Sequence, residues 1–311
     1  MIKELQWIYR HPPVVGRGLN RIYHTKMGSR KGYAEGVPLF DLDWDVCAIL
    51  DACRYDIYKE VVSSHDLGGK LKCRPSPASS TPEWLMRSFQ NTTHTDIVYV
   101  TANPQYYNHE NDLDPTFHKI INVWKDNWDE DLQTVPPAKM SKAVKDASDE
   151  FPNKRILAHF VQPHVPFIGE FGRQKFPISL NSAVDNDWNA ARKFWPSIRQ
   201  EEREYTDEDL REAYIENIEV VLNEVLPLFK SIDGKPLITS DHGQLLGERI
   251  SPLPIKEYGH PAGIYVPELI ETPIHFLDFK QRREITKGDL ENKKEIASDS
   301  VDERLNALGY K

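Results

Sequence analysis

The chain has 311 residues, 39% of them hydrophobic, enough to bury one large core or two small ones. Its net charge of −9 gives no general case for a nucleic-acid partner. Its three cysteines (Cys47, Cys53 and Cys73) form no pairing pattern that would staple a disulfide framework. No apolar run approaches the length of a membrane span and the first residues lack the apolar stretch of a signal peptide, so a soluble, cytoplasmic protein is expected.

Residues 1–34 carry Lys3, Arg10, Arg17, Arg21, Lys26, Arg30 and Lys31 against Glu4 alone, interleaved with Trp7, Ile8, Tyr9, Ile22 and Tyr23. Such an arm can wrap an otherwise acidic domain. Alternatively it can lie on the anionic inner surface of a membrane, where each basic residue contributes about 1 kcal/mol. A basic arm over 1–40, a main domain over 41–280 and a charged tail over 281–311 are expected. "VCAIL" (46–50) predicts a buried strand and "RYDIYKEVV" a helix after it. Further strands are predicted at "DIVYVTAN" (96–103), "RILAHFVQ" (155–162), "KPLITSD" (235–241) and "TPIHFLDF" (272–279). Residues 169–205, rich in Trp, Asn, Arg and Pro, predict an excursion that shapes a substrate site, with Trp188, Phe194 and Trp195 better read as packing than as sugar platforms. A helix over 206–229 opens on a Thr cap and an acidic first turn, and a short helix near the end is expected to dock through Leu305 and Leu308. Strands alternating with helices predict an α/β fold with a largely parallel central sheet sandwiched by helices.

Chemistry gathers at the predicted strand ends, where open α/β sheets bind ligands. Asp51 follows the first strand, Asp241 and His242 follow the fourth, His159 and His164 close the third, and His260 lies on the loop beyond. Singly, Asp51 reads as a helix cap and His159 as a core histidine. Jointly, carboxylates and imidazoles converging on one sheet edge suit Zn²⁺ or a similar divalent ion.

The stretches "ILDACRYD", "PSPASSTPEWL", "AHFVQPHVPF", "LITSDHGQLLGE" and "GHPAGIYVPELIETPIHF" occur in the order found in the alkaline phosphatase and sulfatase superfamily. Roughly Val46 to Phe279 resembles that superfamily, and is especially similar to its sulfatase-like and lipoteichoic-acid-synthase-like branches. The resemblance implies an alkaline-phosphatase-like fold, Asp51, Asp241 and His242 as metal ligands, and His164 and His260 either on the substrate's anionic group or completing a second metal site. It also implies Zn²⁺ or Mn²⁺ as the ion, or Ca²⁺ in a sulfatase. The substrate would be a small-molecule, glycan-borne or lipid-borne phosphoester or sulfate ester. Two departures stand out: Gln244 replaces the Glu that often follows Asp-His-Gly, and no upstream Asp matches the one that completes a second zinc site, leaving one metal or two open.

Two positions compete for the nucleophile. "CRPSP" (73–77) is similar to the sulfatase Cys-x-Pro-x-Arg motif, but Pro77 stands in place of the Arg and Cys73 follows Asp51 too soon. The better register puts Thr81 on the family's strand-to-helix turn, also as a metal ligand, with Ser80 as second candidate. Thr81 precedes Pro82, a favoured first helical residue, so its hydroxyl would meet a helix N-terminus that favours an anion. The plainer reading is that Thr81 caps the helix. Because threonine cannot become formylglycine, it argues for phosphoryl transfer. The expected function is metal-dependent hydrolysis or transfer of a phosphoester through Thr81. The alternatives are a sulfatase, a non-catalytic descendant that binds a phosphorylated glycan or lipid, and a membrane scaffold built on the arm.

Overall fold

The computed structural model describes residues 12–28, 36, 38–65, 67–177, 190–199, 205–288, 304, 307 and 308. Much of the arm, the middle of the excursion with Trp188, and most of the tail with Leu305 lie outside them. The elements used below are α1 (Pro12–Ile22), β1 (Val46–Leu50), α2 (Tyr55–Ser64), β2 (Lys70–Pro75), α3 (Thr81–Phe89), β3 (Thr93–Thr101) and β4 (Thr116–Asn122). They continue with α4 (Pro137–Glu150), β5 (Arg155–Phe160), α5 (Asp207–Ser231), β6 (Pro236–Thr239), β7 (Leu245–Ile250), β8 (Ile255–Gly259) and β9 (Glu271–Phe276).

Seven strands form one sheet in the order β2-β9-β6-β1-β5-β3-β4, and β9 alone runs against the others. Every residue of β1 is buried because both of its faces are covered. Val46, Ala48 and Leu50 point into one core with α2, α4 and α5, whereas Cys47 and Ile49 point into a second core with Trp84, Leu85 and Phe89 of α3. The period-two alternation of one short strand thus divides its residues between two helical layers. α5 starts as its sequence requires: Thr206 Oγ1 accepts from Asp209 N at 3.1 Å and Asp209 Oδ2 accepts from Thr206 N at 2.6 Å. Its Leu210, Tyr214, Ile218, Val221 and Val225 are all buried, as the spacing predicts. Phe194 and Trp195 pack among Phe167, Phe176 and each other, and Leu308 is fully buried. No described helix is long and apolar enough to cross a membrane.

Two edge strands are absent from the sequence reading. β2 and β4 carry Lys70, Lys72, His118 and Lys119 among their apolar residues, so neither presents the continuous apolar run of a central strand. β7 and β8 form a separate antiparallel pair beside the sheet, between the Asp241–His242 turn and the His260 loop. The centre of the sheet positions the chemistry: β1 lies between β5 and β6, and the chain leaves the carboxyl ends of all three on one edge.

Candidate functional site

Asp51 leaves β1 into a turn whose second residue, Ala52, has φ of 60°, a left-handed conformation costing a non-glycine residue about 1–2 kcal/mol. That turn aims two backbone N–H groups at the neighbouring strand end: Ala52 N donates to Asp241 Oδ1 at 3.0 Å and Cys53 N to Ser240 Oγ at 2.8 Å. Tyr214 of α5 holds the turn from behind, accepting from Arg54 N at 2.9 Å and donating to Ala52 O. Arg54 braces it further through Asp56 (2.6 and 2.9 Å), Glu248 and the carbonyl of Gln244. After β6 the chain passes so close to Glu268 that a Cβ on Gly243 would fall 2.1 Å from that residue's carbonyl oxygen, so only glycine fits there.

Thr81 completes the cluster. Its Oγ1 lies 2.9 Å from Asp241 Oδ2, 3.1 Å from His242 Nε2 and 3.4 Å from Asp51 Oδ1. The N-cap of α3 is Ser80, with no side-chain cap bond, so the Thr81 hydroxyl faces the carboxylates instead of capping the helix. His242 Nδ1 is 2.8 Å from Gly243 O, which makes that nitrogen the donor and turns Nε2 toward Thr81 and both aspartates. Asp51 Oδ2 accepts from Asn103 Nδ2 at 2.7 Å, and Asp241 Oδ1 also accepts from His242 N at 2.9 Å. Four polar atoms converge there: Asp51 Oδ1, Asp241 Oδ2, His242 Nε2 and Thr81 Oγ1. All four residues are fully buried. Among the described residues Asp51, Asp241 and His242 form a group whose ligand atoms lie within 4.8 Å of one another. A buried, acceptor-rich, donor-poor cluster of two carboxylates and an imidazole fits a divalent cation.

The other predicted histidines fall around this group. His260 lies outside it, its ring 4.7 Å from that of His242 and 4.9 Å from that of His164, with Nδ1 3.1 Å from Gln244 Oε1. Gln244, the departure from the motif, thus orients His260. His164 Nδ1 meets Val165 O at 2.7 Å. His159 sits inside β5 beneath the site, between the Tyr99 hydroxyl at 2.9 Å and Asp241 Oδ2 at 3.9 Å. Cys73 lies in mid-strand on exposed β2, where burial lifts its thiol to about 11. Asn103 and Asn217 are missing from the sequence reading. Asn217, fully buried on α5, donates to the carbonyls of Pro163, His164 and Pro166 and accepts from Ile168 N, latching the loop that carries His164. The signal open to sequence reading was an Asn on the buried face of an apolar helix.

Burial lowers His159 and His164 from 6.5 to about 4 and holds His260 well below its ordinary value, so all three are neutral near pH 7. For Asp241 burial acts upward, but the charge of His242 and His159 when those rings are protonated, the Ala52 N–H and the Thr81 hydroxyl outweigh it and hold the carboxyl below its ordinary value. The unfolded chain takes up protons on His159 and His164 below 6.5 while the folded chain refuses them until about 4, and His260 shifts in the same direction. Stability is therefore full above 6.5 and is lost as pH falls through that window, on the order of 2 kcal/mol per histidine by pH 5. The depressed Asp241 acts in the same direction at lower pH. The melting temperature of chelator-treated protein should drop between pH 7 and 5, and a flat profile would contradict the neutral assignment.

A largely parallel sheet with helices on both faces, carrying Asp51, Thr81, Asp241 and His242 at its carboxyl edge, defines an α/β protein with a buried candidate metal site at its strand ends. No family model and no curated protein matches the chain. Among solved structures it is similar to the integral membrane lipooligosaccharide phosphoethanolamine transferase EptA of Neisseria meningitidis (TM-score 0.47, 12% identity), over 75% of this chain and 47% of that one. It is similar also to the C-terminal periplasmic domain of EptC from Escherichia coli in complex with zinc (0.45, 13% identity, 80% and 76% covered). The corresponding domain of the phosphoethanolamine transferase EptC from Campylobacter jejuni matches at 0.42 with 14% identity, covering 74% and 77%. The chain spans about half the length of the first of these. The expectation of a cytoplasmic protein is withdrawn: the matched EptC domains are periplasmic and EptA is an integral membrane protein.

Proposed function

We propose that this chain is a metal-dependent phosphoester transferase or hydrolase that works through Thr81, with its catalytic unit within residues 41–280. The observation that carries the reading is the Thr81 hydroxyl at the N-terminus of α3, within 2.9–3.4 Å of Asp241, His242 and Asp51. Those four residues would hold a divalent ion such as Zn²⁺ or Mn²⁺, which when bound supplies Lewis acidity and lowers the pKa of a coordinated hydroxyl. Without an ion the Thr81 hydroxyl donates to Asp241 Oδ2 at 2.9 Å, and with one held there its proton would pass to water as Oγ1 attacks phosphorus. The backbone N–H groups opening α3 favour the anionic group brought to Thr81. His164 and His260, whose Nδ1 atoms are engaged by Val165 O and Gln244, direct their remaining edges to the oxygens of the transferred group. Attack on phosphorus expels the ester's alcohol, and a second alcohol or water then takes the phosphoryl group from Thr81. The substrate is a small-molecule, glycan-borne or lipid-borne phosphoester.

The sulfatase alternative required Cys73 at the nucleophile turn, and its position within β2 gives that reading no support. Metal analysis of the purified protein, paired with aryl phosphomonoesters, phosphodiesters and sulfate esters, tests the proposal. Turnover of a phosphoester that a chelator abolishes and added metal restores is the expected result. Preferential turnover of the sulfate ester, with formylglycine at Cys73, would overturn it. Metal retained without turnover of any ester would favour the non-catalytic binding descendant.

A further inference from the structure

α1 is mounted with its apolar side outward. Val14, Val15, Leu19 and Ile22 share one face, spanning about 140° at ~100° per residue. All four are exposed, Leu19 at 52% and Ile22 at 54%. A surface helix ordinarily buries that stripe. Here the inward face is Gly16 and Asn20. Asn20 is fully buried: its Nδ2 donates to Ile250 O at 3.2 Å and Leu253 O at 2.7 Å, and its Oδ1 accepts from Leu253 N at 2.9 Å. Gly16 presses on Ile255 with no room for a Cβ, and Arg17 Nε donates to Lys256 O at 2.9 Å. The helix is thus fastened to the turn and the second strand of the β7–β8 pair by polar bonds, and its hydrophobic side chains are left over. Exposed Tyr23, from the turn after α1, and Leu253 extend the ridge, and exposed Arg21 and Lys26 flank it.

We propose that this ridge docks on an anionic lipid bilayer, with Val14, Val15, Leu19 and Ile22 entering the interface and Arg21 and Lys26 at headgroup level. Charge selects this occupant. The described segment 12–28 carries Arg17, Arg21 and Lys26 and no acidic side chain, in a chain of net charge −9, so an anionic surface repels the bulk of the molecule and attracts this edge. A second copy meeting the ridge by twofold symmetry would instead set Arg21 and Lys26 against their own counterparts. The docked helix lies beside the site. The pair it rides on begins one residue after Gln244 and ends one residue before His260. Gly263, with φ of 79°, sits against the turn after α1, where a Cβ would lie 3.1 Å from Thr25 Cγ2. The same glycine's N–H donates to Ser79 Oγ at 2.9 Å, two residues before Thr81. The inference stands independently of the proposed phosphoester chemistry.

Co-sedimentation of the full chain with vesicles tests it. Vesicles of phosphatidylglycerol and phosphatidylcholine should bind the protein, those of phosphatidylcholine alone about tenfold less, and salt should weaken the binding. The double variant Leu19→Glu/Ile22→Glu should lose at least about tenfold of that binding at an unchanged melting temperature, since both side chains are solvent-exposed. Arg21→Glu/Lys26→Glu should lose a similar amount, and it leaves the apolar ridge whole. Absence of binding to anionic vesicles, or binding unaltered in both double variants, would overturn the proposal. So would a lipid-independent dimer that Leu19→Glu/Ile22→Glu dissolves, which would assign the ridge to a second copy.

Discussion

Asp241→Asn should abolish divalent-metal binding by the purified protein while leaving the sheet folded. The carboxylate does two jobs through two oxygens. Oδ1 receives the N–H groups of Ala52 and His242, a structural role that an amide oxygen can keep. Oδ2 faces Thr81 and His242, where an amide would place an NH₂ donor among acceptors. The variant thus loses a negative charge and gains a hydrogen-bond donor at the one place a cation would occupy. Ligand loss should lower metal affinity by more than the 10–100-fold that outer partners of a metal typically control. The metal-free variant should stay folded but melt below metal-free wild type, because the fold favours the ionised Asp241 carboxylate that the substitution removes. Asp51→Asn and His242→Ala should likewise release the metal. Elemental analysis of the three variants together with their melting curves decides the matter: full occupancy in any one removes that residue from the ligand set.

The sequence declared the parts of this site that chemistry forces into short range. β1, β5 and β6 are runs of apolar residues because both faces are buried, and each run stops where a polar side chain reaches the sheet edge. Asp51 and the Asp241–His242 pair are therefore visible as abrupt endings. Thr81 is visible because a proline after it marks the start of a helix. The residues that stayed hidden are those acting on others across long sequence separations. Asn103 positions Asp51 from 52 residues away, Asn217 latches the His164 loop from 53, and Gln244 orients His260 from 16. Periodicity carries no trace of such pairings, because each is made only when the strands find their order. Edge strands β2 and β4 were hidden for a different reason: one side of each meets solvent and charge, so burial does not write a continuous run into them. The outward face of α1 is a related case, since Val14, Val15, Leu19 and Ile22 look like an ordinary core stripe until Asn20 is seen to occupy the buried side.

Thr81→Ala should cost about three orders of magnitude or more in turnover while metal stays bound. The site divides its labour so that these effects separate. Asp51, Asp241 and His242 supply two charges and three donor atoms within 4.8 Å of one another, enough to hold a cation without the threonine. Under the proposed mechanism the hydroxyl of Thr81 adds one neutral oxygen, and its distinct contribution would be nucleophilic. Thr81→Ser keeps a primary hydroxyl at the same turn and should retain partial activity. A capping role would predict a different pattern, a loss of about 1 kcal/mol in stability with turnover unchanged. The geometry argues against the capping role, since Ser80 occupies the N-cap and the Thr81 hydroxyl faces Asp241. Ser80→Ala is therefore the control that should leave turnover near wild type. A third readout is chemical: protein quenched during turnover of a phosphoester should carry a phosphate on the peptide containing Thr81, and Thr81→Ala should not. Unchanged turnover in Thr81→Ala, or turnover lost in Ser80→Ala with phosphate on Ser80, would move the nucleophile one residue back along the chain and leave Thr81 without a catalytic role.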